Sequence, residues 1–290
     1  QWNGNTGKAI REHFEKPQSG LPQPEALFHL VNIPEKSFSK IFQTHRNVFM
    51  VDIKSGNKPK VEIKKSLWAK EQMVVRISAP DESSFLQLMD KNGTSLAYQY
   101  QGKEISRLIS RNKKFGSKKL SDEVYEKHGL RLTFQKDAYI ATDSSGFMWL
   151  RIEHERPLGG YMHQISQGIL IYYYPYTDTT QFDPKKLLAV KDSITQKHLP
   201  GPVDSAYMAT SYQLIMPEYQ PAKFKGNYAV EIRGLWRMEN AFMGGPFVSL
   251  TTLDKKNNRL VTIEGYVYSP QFNKREYVRE IEAMIRSLEL

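Results

Sequence analysis

The second half of the chain alternates between strand-like runs and turn signals, and this pattern limits the possible folds more than any other feature. Strand-like runs occupy residues 147–153, 164–174, 227–238, 246–253 and 259–268. The segment 255–258, Lys-Lys-Asn-Asn, separates the last two runs and is typical of a hairpin turn. Short turns join neighbouring strands in antiparallel order. We therefore expect a sheet that is largely antiparallel in this half.

A helix follows the last strand-like run. Residues 271–288 carry apolar side chains at i, i+1, i+4, i+7, i+8 and i+11, namely at Tyr277, Val278, Ile281, Met284, Ile285 and Leu288. This spacing places the apolar side chains on one helical face. We expect that face to pack against the sheet that contains residues 259–268.

The first half is richer in helical patterns and in charge. Asp81 is a good N-cap for one helix, and further helices are predicted over 95–114 and 121–128. The uninterrupted apolar run within 47–53 predicts a central strand buried on both faces. The fold class is therefore α+β, with antiparallel or mixed sheets packed against helices. The predicted organisation is a basic, helix-rich half over 1–135 and a β-rich half with two helices over 136–290, or alternatively one continuous domain.

The positive charge is concentrated in one region. The chain of 290 residues has a net charge of +10, and the stretch from Lys54 to Lys119 alone contains 15 Lys and Arg against 6 Asp and Glu. In the predicted helix over 95–114, a basic ridge forms on one side from Lys103, Arg107, Arg111 and Lys114. Such a ridge can contact phosphates or another polyanion, or it can be an ordinary solvated face. Because no nucleic-acid recognition motif accompanies it, we expect these four side chains to be exposed and without a specific ligand.

Few residues have the spacing of a catalytic or metal site. The chain contains no cysteine and no G-x-S-x-G motif. The closest approach to a metal-ligand pair is His154 and His163, which a hairpin could bring together, but we favour the interpretation that both are ordinary surface histidines. We therefore predict no metal, no cofactor and no identifiable catalytic residue. A carboxylate pair for glycoside hydrolysis stays open, since Asp and Glu are plentiful.

Two aromatic-rich stretches are candidate binding surfaces. Their candidate ligand-binding residues are Tyr174 and Tyr176 in the first stretch, and Arg233, Trp236, Arg237, Gly244 and Gly245 in the second. Exposed Tyr and Trp side chains often bind sugar rings or partner proteins, and paired glycines allow a close backbone approach. The alternative is an aromatic core with a tight turn, in which Trp236 is buried.

Seven short motifs resemble those of a known family. They lie, in order, at 20–25 (GLPQPE), 78–82 (SAPDE), 174–178 (YPYTD), 207–210 (YMAT), 233–237 (RGLWR), 242–249 (FMGGPFVS) and 267–270 (VYSP). Together they resemble an uncharacterised family of lipoproteins from Gram-negative gut anaerobes, filed as domain of unknown function 4837. The resemblance extends from Gly4 to the end of the chain. It implies a lipid-anchored protein of the cell envelope, on the periplasmic side or the cell surface, whose anchor precedes this sequence.

The family has no established activity, so the resemblance identifies no catalytic residue. The leading expectation is a non-enzymatic binding protein whose partner is an envelope protein or a glycan. One alternative is a hydrolase that acts on envelope or dietary glycans. The other is a polyanion or nucleic-acid binder that uses the basic region between Lys54 and Lys119.

Overall fold

The computed structural model describes residues 2–290, which form two compact units. The N-terminal unit contains the residues up to 18 and residues 25–107, and the C-terminal unit contains residues 19–24 and 108–290. Two units fit the two-subdomain form of the predicted α+β fold. The predicted boundary between 135 and 136 stays a prediction, because contacts within each unit do not test independent folding.

The N-terminal unit is built on a three-stranded sheet. Its strands are β1 (Asn47–Ile53), β2 (Lys60–Lys65) and β3 (Met73–Ala79), with β3 in the middle, parallel to β1 and antiparallel to β2. Its helices are α1 (Asn5–Phe14), the single-turn α2 (Lys40–Gln43) and most of α3 (Glu82–Phe115), whose residues from 108 onwards belong to the C-terminal unit, and a 3₁₀ turn lies at Glu35–Ser37. Apolar side chains of α1, α3 and β3 form its core.

Two predictions about this unit were wrong in detail. β1 is an edge strand and not a central one, and six of its seven residues are half-buried. The central position belongs to β3, whose Met73, Val75 and Ile77 are buried against the helices. The helices predicted after Asp81 and over 95–114 form the single helix α3, whose start Asp81 caps by accepting a hydrogen bond from Ser84 N at 2.7 Å.

The C-terminal unit is built on an eight-stranded antiparallel sheet. Its strands are β4 (Tyr139–Ser144), β5 (Phe147–Leu158), β6 (Tyr161–Pro175), β7 (Tyr207–Ser211), β8 (Glu218–Phe224), β9 (Asn227–Glu239), β10 (Gly244–Asp254) and β11 (Arg259–Tyr268). Their order is β4-β5-β6-β11-β10-β9-β7, and β8 pairs with the remaining length of β9 beside β7. All five strand-like runs of the sequence are therefore strands.

Helices cover both faces of this sheet. The helices of the unit are α4 (Lys118–His128), α5 (Pro184–His198) and α6 (Arg275–Arg286), and a 3₁₀ turn lies at Thr179–Phe182. α6 packs on β10 and β11, and its apolar side chains join one core with Val261 and Ile263. α5 contributes to a second core on the opposite face, with Leu260 and Tyr266. No helix in residues 2–290 has both the length and the apolar character that crossing a lipid bilayer requires.

The contact between α6 and the sheet gives the first testable prediction. Ile281 is fully buried on the apolar face of α6. An Ile281→Asp substitution places an unpaired carboxylate there, and we expect it to lower the free energy of unfolding by at least about 3 kcal/mol. Urea denaturation followed by circular dichroism measures this change. The control is Ala189→Asp, at an exposed position of α5, and equal stability of the two variants would contradict the packing described here.

Candidate functional site

A half-exposed group of aromatic and polar side chains lies on the α5 face of the eight-stranded sheet. Alternation along β5 places Trp149, Arg151 and Glu153 on this face. The facing strands β6 and β11 add further side chains, and we call the set the Trp149 cluster: Trp149, Arg151, Glu153, Gln164, Ser166, Tyr266 and Tyr268. Ser166 and Tyr266 are buried, and the other five side chains are partly or well exposed.

Tyr266 anchors the aromatic part of the cluster. Its hydroxyl accepts a hydrogen bond from Trp149 Nε1 at 3.0 Å. Its ring lies over Gly168 of β6, where a Cβ atom would come within 2.0 Å of the ring. Burial raises the pKa of Tyr266 above its ordinary value, so the phenol stays protonated. The indole of Trp149 is therefore held in a fixed orientation.

Glu153 anchors the polar part of the cluster. Arg151 donates to its Oε1 from Nε at 2.7 Å and from Nη2 at 2.6 Å. Ser166 Oγ donates to the same oxygen at 2.8 Å, and Gln164 Nε2 donates to Oε2 at 2.9 Å. The Arg151 guanidinium also lies 5.1 Å from the centre of the Trp149 ring. The charges of Arg151 and Glu153 thus cancel locally, and both side chains are held in place.

Trp236 lies beside this cluster and is buried. It is 2% exposed, its Nε1 donates to Val267 O at 3.2 Å, and its ring packs edge-on against Tyr266 at 5.5 Å. Gly245 makes this position possible, because a Cβ atom there would come within 2.0 Å of Val267 O and 3.1 Å of Trp236 Nε1. Trp236 is therefore in the core, as the alternative interpretation of the sequence held.

The two arginines predicted beside Trp236 lie on the opposite face of the sheet. Arg233 pairs with Glu231 at 2.8 Å and with Glu282 of α6. Arg237 pairs with Glu239 at 2.5 Å. Side chains at odd and even positions of a strand point to opposite faces, so Arg233 and Arg237 cannot share a platform with Trp236. Whether either arginine binds a ligand stays a prediction.

The remaining predicted ligand-binding residues lie in two places. Gly244 precedes Gly245 on β10, and a Cβ atom there would come within 2.9 Å of Trp236 O. Tyr174 lies near the C-terminal end of β6, where it pairs with Leu260 at the beginning of β11. Tyr268 of the Trp149 cluster lies at the other end of β11. Tyr176 packs against Phe182. The two tyrosines are therefore separated from Trp236 by most of the length of β11.

The predicted basic ridge is not a uniform row of exposed cations. Arg111 and Lys114 are exposed and Lys103 is partly exposed, but Arg107 is only 6% exposed. Arg107 donates to Glu104 Oε1 at 2.7 Å and to the carbonyl oxygens of Glu71 and Arg46 at 2.9 Å. The prediction that Arg107 is exposed was wrong, because backbone carbonyls near the start of β1 and of β3 take up its donors.

A buried group of ionisable side chains was missed by the sequence analysis. Glu264 of β11 is fully buried, and neither of its carboxylate oxygens has a hydrogen-bond partner among the described residues. Lys191 of α5 lies 3.8 Å from Glu264 and 3.3 Å from Asp192. Asp192 is already committed to Thr210, from which its Oδ1 accepts two hydrogen bonds. Burial raises the pKa of Glu264 to about 7. The sequence feature that could have identified this group is the acidic residue Glu264 within the largely apolar strand β11.

A group of hydrogen-bonded side chains around His128 connects α4 to the sheet. His128, the last residue of α4, bonds through Nε2 to Asp143 Oδ1 at 2.9 Å and through Nδ1 to Tyr173 Oη at 3.1 Å. Asp143 also accepts from Lys127 at 2.7 Å. Because both ring nitrogens are occupied, we assign His128 a structural role. Residues 2–290 contain no cluster of three or more His, Asp or Glu side chains suited to a metal ion.

Comparison with known proteins decides the family. Residues 117–287, more than half of the chain, match the family model described as Domain of unknown function (DUF4837). The chain belongs to this family. Both the Trp149 cluster and the buried Glu264 lie within the DUF4837 segment. Residues 1–113 match a second model, Domain of unknown function (DUF8532).

Comparisons with individual proteins add little. No curated protein sequence matches the chain significantly. A solved structure of a mutant of the protein Mog1 is 13% identical, covering 55% of this chain and 89% of that chain at a TM-score of 0.31. The Saccharomyces cerevisiae Ran-binding protein Mog1p is 12% identical, covering 56% of this chain and 91% of that chain at a TM-score of 0.33. At these TM-scores the likeness supports no inference about this DUF4837 member.

Glu264 gives a testable pH dependence. An unfolded Glu ionises near 4.5, whereas the buried carboxyl ionises near 7, so the folded state retains a proton between these values. The free energy of unfolding should therefore fall as pH rises from about 4.5 to about 7, by about 3 kcal/mol from this group alone. Glu264→Gln should remove that fall, as measured by urea denaturation across this pH range. A variant whose pH dependence matches that of the parent protein would refute this assignment.

Proposed function

We propose that this DUF4837 member binds a neutral carbohydrate through the Trp149 cluster and performs no catalysis there. The single observation that carries the proposal is the fixed, half-exposed arrangement of Trp149 beside the Arg151–Glu153 pair. Sugar rings have apolar C–H faces and a rim of hydroxyls. A protein that binds them therefore offers an aromatic surface next to planar polar groups with free donors and acceptors.

The cluster has such free groups. Arg151 uses Nε and Nη2 on Glu153, and in the part of the chain that the structure describes its Nη1 donates to no protein acceptor. Gln164 uses its amide nitrogen on Glu153, which leaves its carbonyl oxygen as an acceptor. Tyr268 is partly exposed at the adjoining position of β11. These groups match the donors and acceptors of neighbouring sugar hydroxyls.

The charge of the cluster favours a neutral glycan over an acidic one. Glu153 lies within 2.7 Å of the Arg151 guanidinium and cancels its charge. An anionic sugar would have to displace Glu153 or approach it, and either step is opposed by repulsion between like charges. The cluster also contains a single carboxylate, that of Glu153, whereas glycoside hydrolysis ordinarily uses a pair of carboxyl groups. This supports binding over glycoside hydrolysis at this site.

A binding test follows from this arrangement. The 290-residue chain is applied to an array of neutral and acidic oligosaccharides, and affinity for the best neutral binder is measured by isothermal titration calorimetry. We expect Trp149→Ala to weaken binding at least about tenfold, because it removes the aromatic surface and the ring on which the Arg151 guanidinium packs. Trp68→Ala is the matched control, since Trp68 is a partly exposed tryptophan of the other unit.

Two results would contradict the proposal. One is that no neutral oligosaccharide binds. The other is that Trp149→Ala binds as well as the parent chain, which would move the site elsewhere. An equal loss in Trp149→Ala and Trp68→Ala would have the same meaning.

We also propose that the protein is a lipid-anchored component of the cell envelope. The motif resemblance to envelope lipoproteins, which includes RGLWR at 233–237 and FMGGPFVS at 242–249, supports this location. In the cell, a lipid anchor directs the native protein into the detergent phase of a Triton X-114 partition. Recovery of the native protein in the aqueous phase, with no incorporation of labelled palmitate, would refute the anchor and leave the carbohydrate proposal intact.

A further inference from the structure

A cationic corner lies where α3 ends and α4 begins. The nine residues 111–119 contain no carboxylate, and they contain five cations, which are Arg111, Lys113, Lys114, Lys118 and Lys119. All five side chains are exposed. We call these five residues, together with Phe115, the Phe115 corner. It lies entirely within the C-terminal unit.

Most of this charge is not neutralised within the protein. Arg111 reaches Glu280 at 3.4 Å and Lys113 reaches Glu289 at 3.6 Å, and both of these ion pairs are on the surface. Among residues 2–290, Lys114, Lys118 and Lys119 form no ion pair with any carboxylate, in contrast to Lys127 at the other end of α4.

Two further observations show that the charge is unfavourable to the isolated chain. Lys118 and Lys119 occupy the first turn of α4, where the helix dipole is positive and disfavours cations. Lys225, in the turn between β8 and β9, adds another cation nearby. Burial lowers the pKa of Lys225, and repulsion from Lys113 lowers it further against the attraction of Glu289. An external anion would relieve this repulsion.

Phe115 projects from the middle of the corner. Its side chain is 63% exposed, and the Lys114 ammonium lies 4.9 Å from the centre of its ring. A single exposed Phe is ordinary on a protein surface. Phe115 is the last residue of α3, and lysines without an ion pair among residues 2–290 precede it at 114 and follow it at 118 and 119. An apolar side chain flanked by basic ones suits the boundary between lipid headgroups and acyl chains.

We infer that the Phe115 corner docks on an anionic lipid surface. Phe115 enters the interface between headgroups and acyl chains, and Lys114, Lys118 and Lys119 contact the anionic headgroups. The positive charge of the corner favours an anionic partner. The exposed apolar ring of Phe115 favours a lipid surface among such partners, since the ring can enter the acyl-chain boundary. A nucleic acid would need open aromatic faces on which successive bases stack, whereas one face of this ring is covered by Lys114.

Vesicle co-sedimentation tests the inference. The probes are vesicles of phosphatidylcholine alone and of phosphatidylcholine mixed with phosphatidylglycerol, incubated with the 290-residue chain at low salt. We expect binding to the mixed vesicles only, and release as salt is raised. Replacing Lys114, Lys118 and Lys119 together by Gln should weaken binding about a hundredfold, and Phe115→Ala should weaken it about tenfold.

The matched control removes the same charge elsewhere. Lys197, Lys255 and Lys256 are exposed in the C-terminal unit, and changing all three to Gln should weaken vesicle binding less than about fivefold. Equal losses in the two triple variants would show that net charge and not the corner drives binding, and this would overturn the inference. Equal binding to both kinds of vesicle would also overturn it. So would salt-sensitive binding to single-stranded DNA or heparin with none to vesicles, which would identify a soluble polyanion as the ligand.

Discussion

The alternation of side chains along β6, β9, β10 and β11 is the constraint on which the rest of the C-terminal unit depends. Each of these strands is covered on both faces, so each must supply one set of side chains to the core with α6 and the other set to the core with α5. A shift of one residue in register would exchange the two sets. The same alternation places Trp236 with the Trp149 cluster and sends Arg233 to α6.

Charged side chains are buried on both faces of this sheet, and the two faces compensate their charge differently. On the α6 face, burial alone would lower the pKa of Arg233, but Glu282 and Glu231 raise it above its ordinary value. That arginine is therefore fully compensated. On the α5 face, Glu264 has only the more distant Lys191. A buried carboxylate that is only partly compensated costs stability when it is ionised, and this makes the stability of the protein depend on pH through Glu264.

The two proposed surfaces differ in how the protein treats its own charge. In the Trp149 cluster, each charged group has a partner at hydrogen-bond distance. The site therefore has no net charge, and it can bind a ligand through its aromatic surface and its hydrogen-bonding groups. At the Phe115 corner, three lysines form no ion pair with a carboxylate of the described residues, so the surface carries a net positive charge and has no enclosed binding site. A carbohydrate suits the first condition and an anionic lipid surface suits the second.

Local patterns of the sequence determined the elements of this protein. Period-two runs became strands β5, β6, β9, β10 and β11, and the period of the last helix placed Ile281 in the core, because local geometry alone decides which side chains share a face. The motifs at 233–237 and 242–249 belong to a chain that is a DUF4837 member. The period-two pattern of β9 also implies that Arg233 and Trp236 point to opposite faces, although the sequence analysis grouped them in one candidate surface.

Only the tertiary structure decided which strands are neighbours and what each polar side chain meets. Nothing local to residues 47–53 shows that β1 pairs on one side only, or that carbonyl oxygens of other segments surround Arg107. Trp149 and Tyr266 are 117 residues apart, so their hydrogen bond depends on the pairing of β5, β6 and β11. Hydrophobic periodicity sets the face of a residue, whereas its partners across that face depend on chain topology, which no short window of sequence contains.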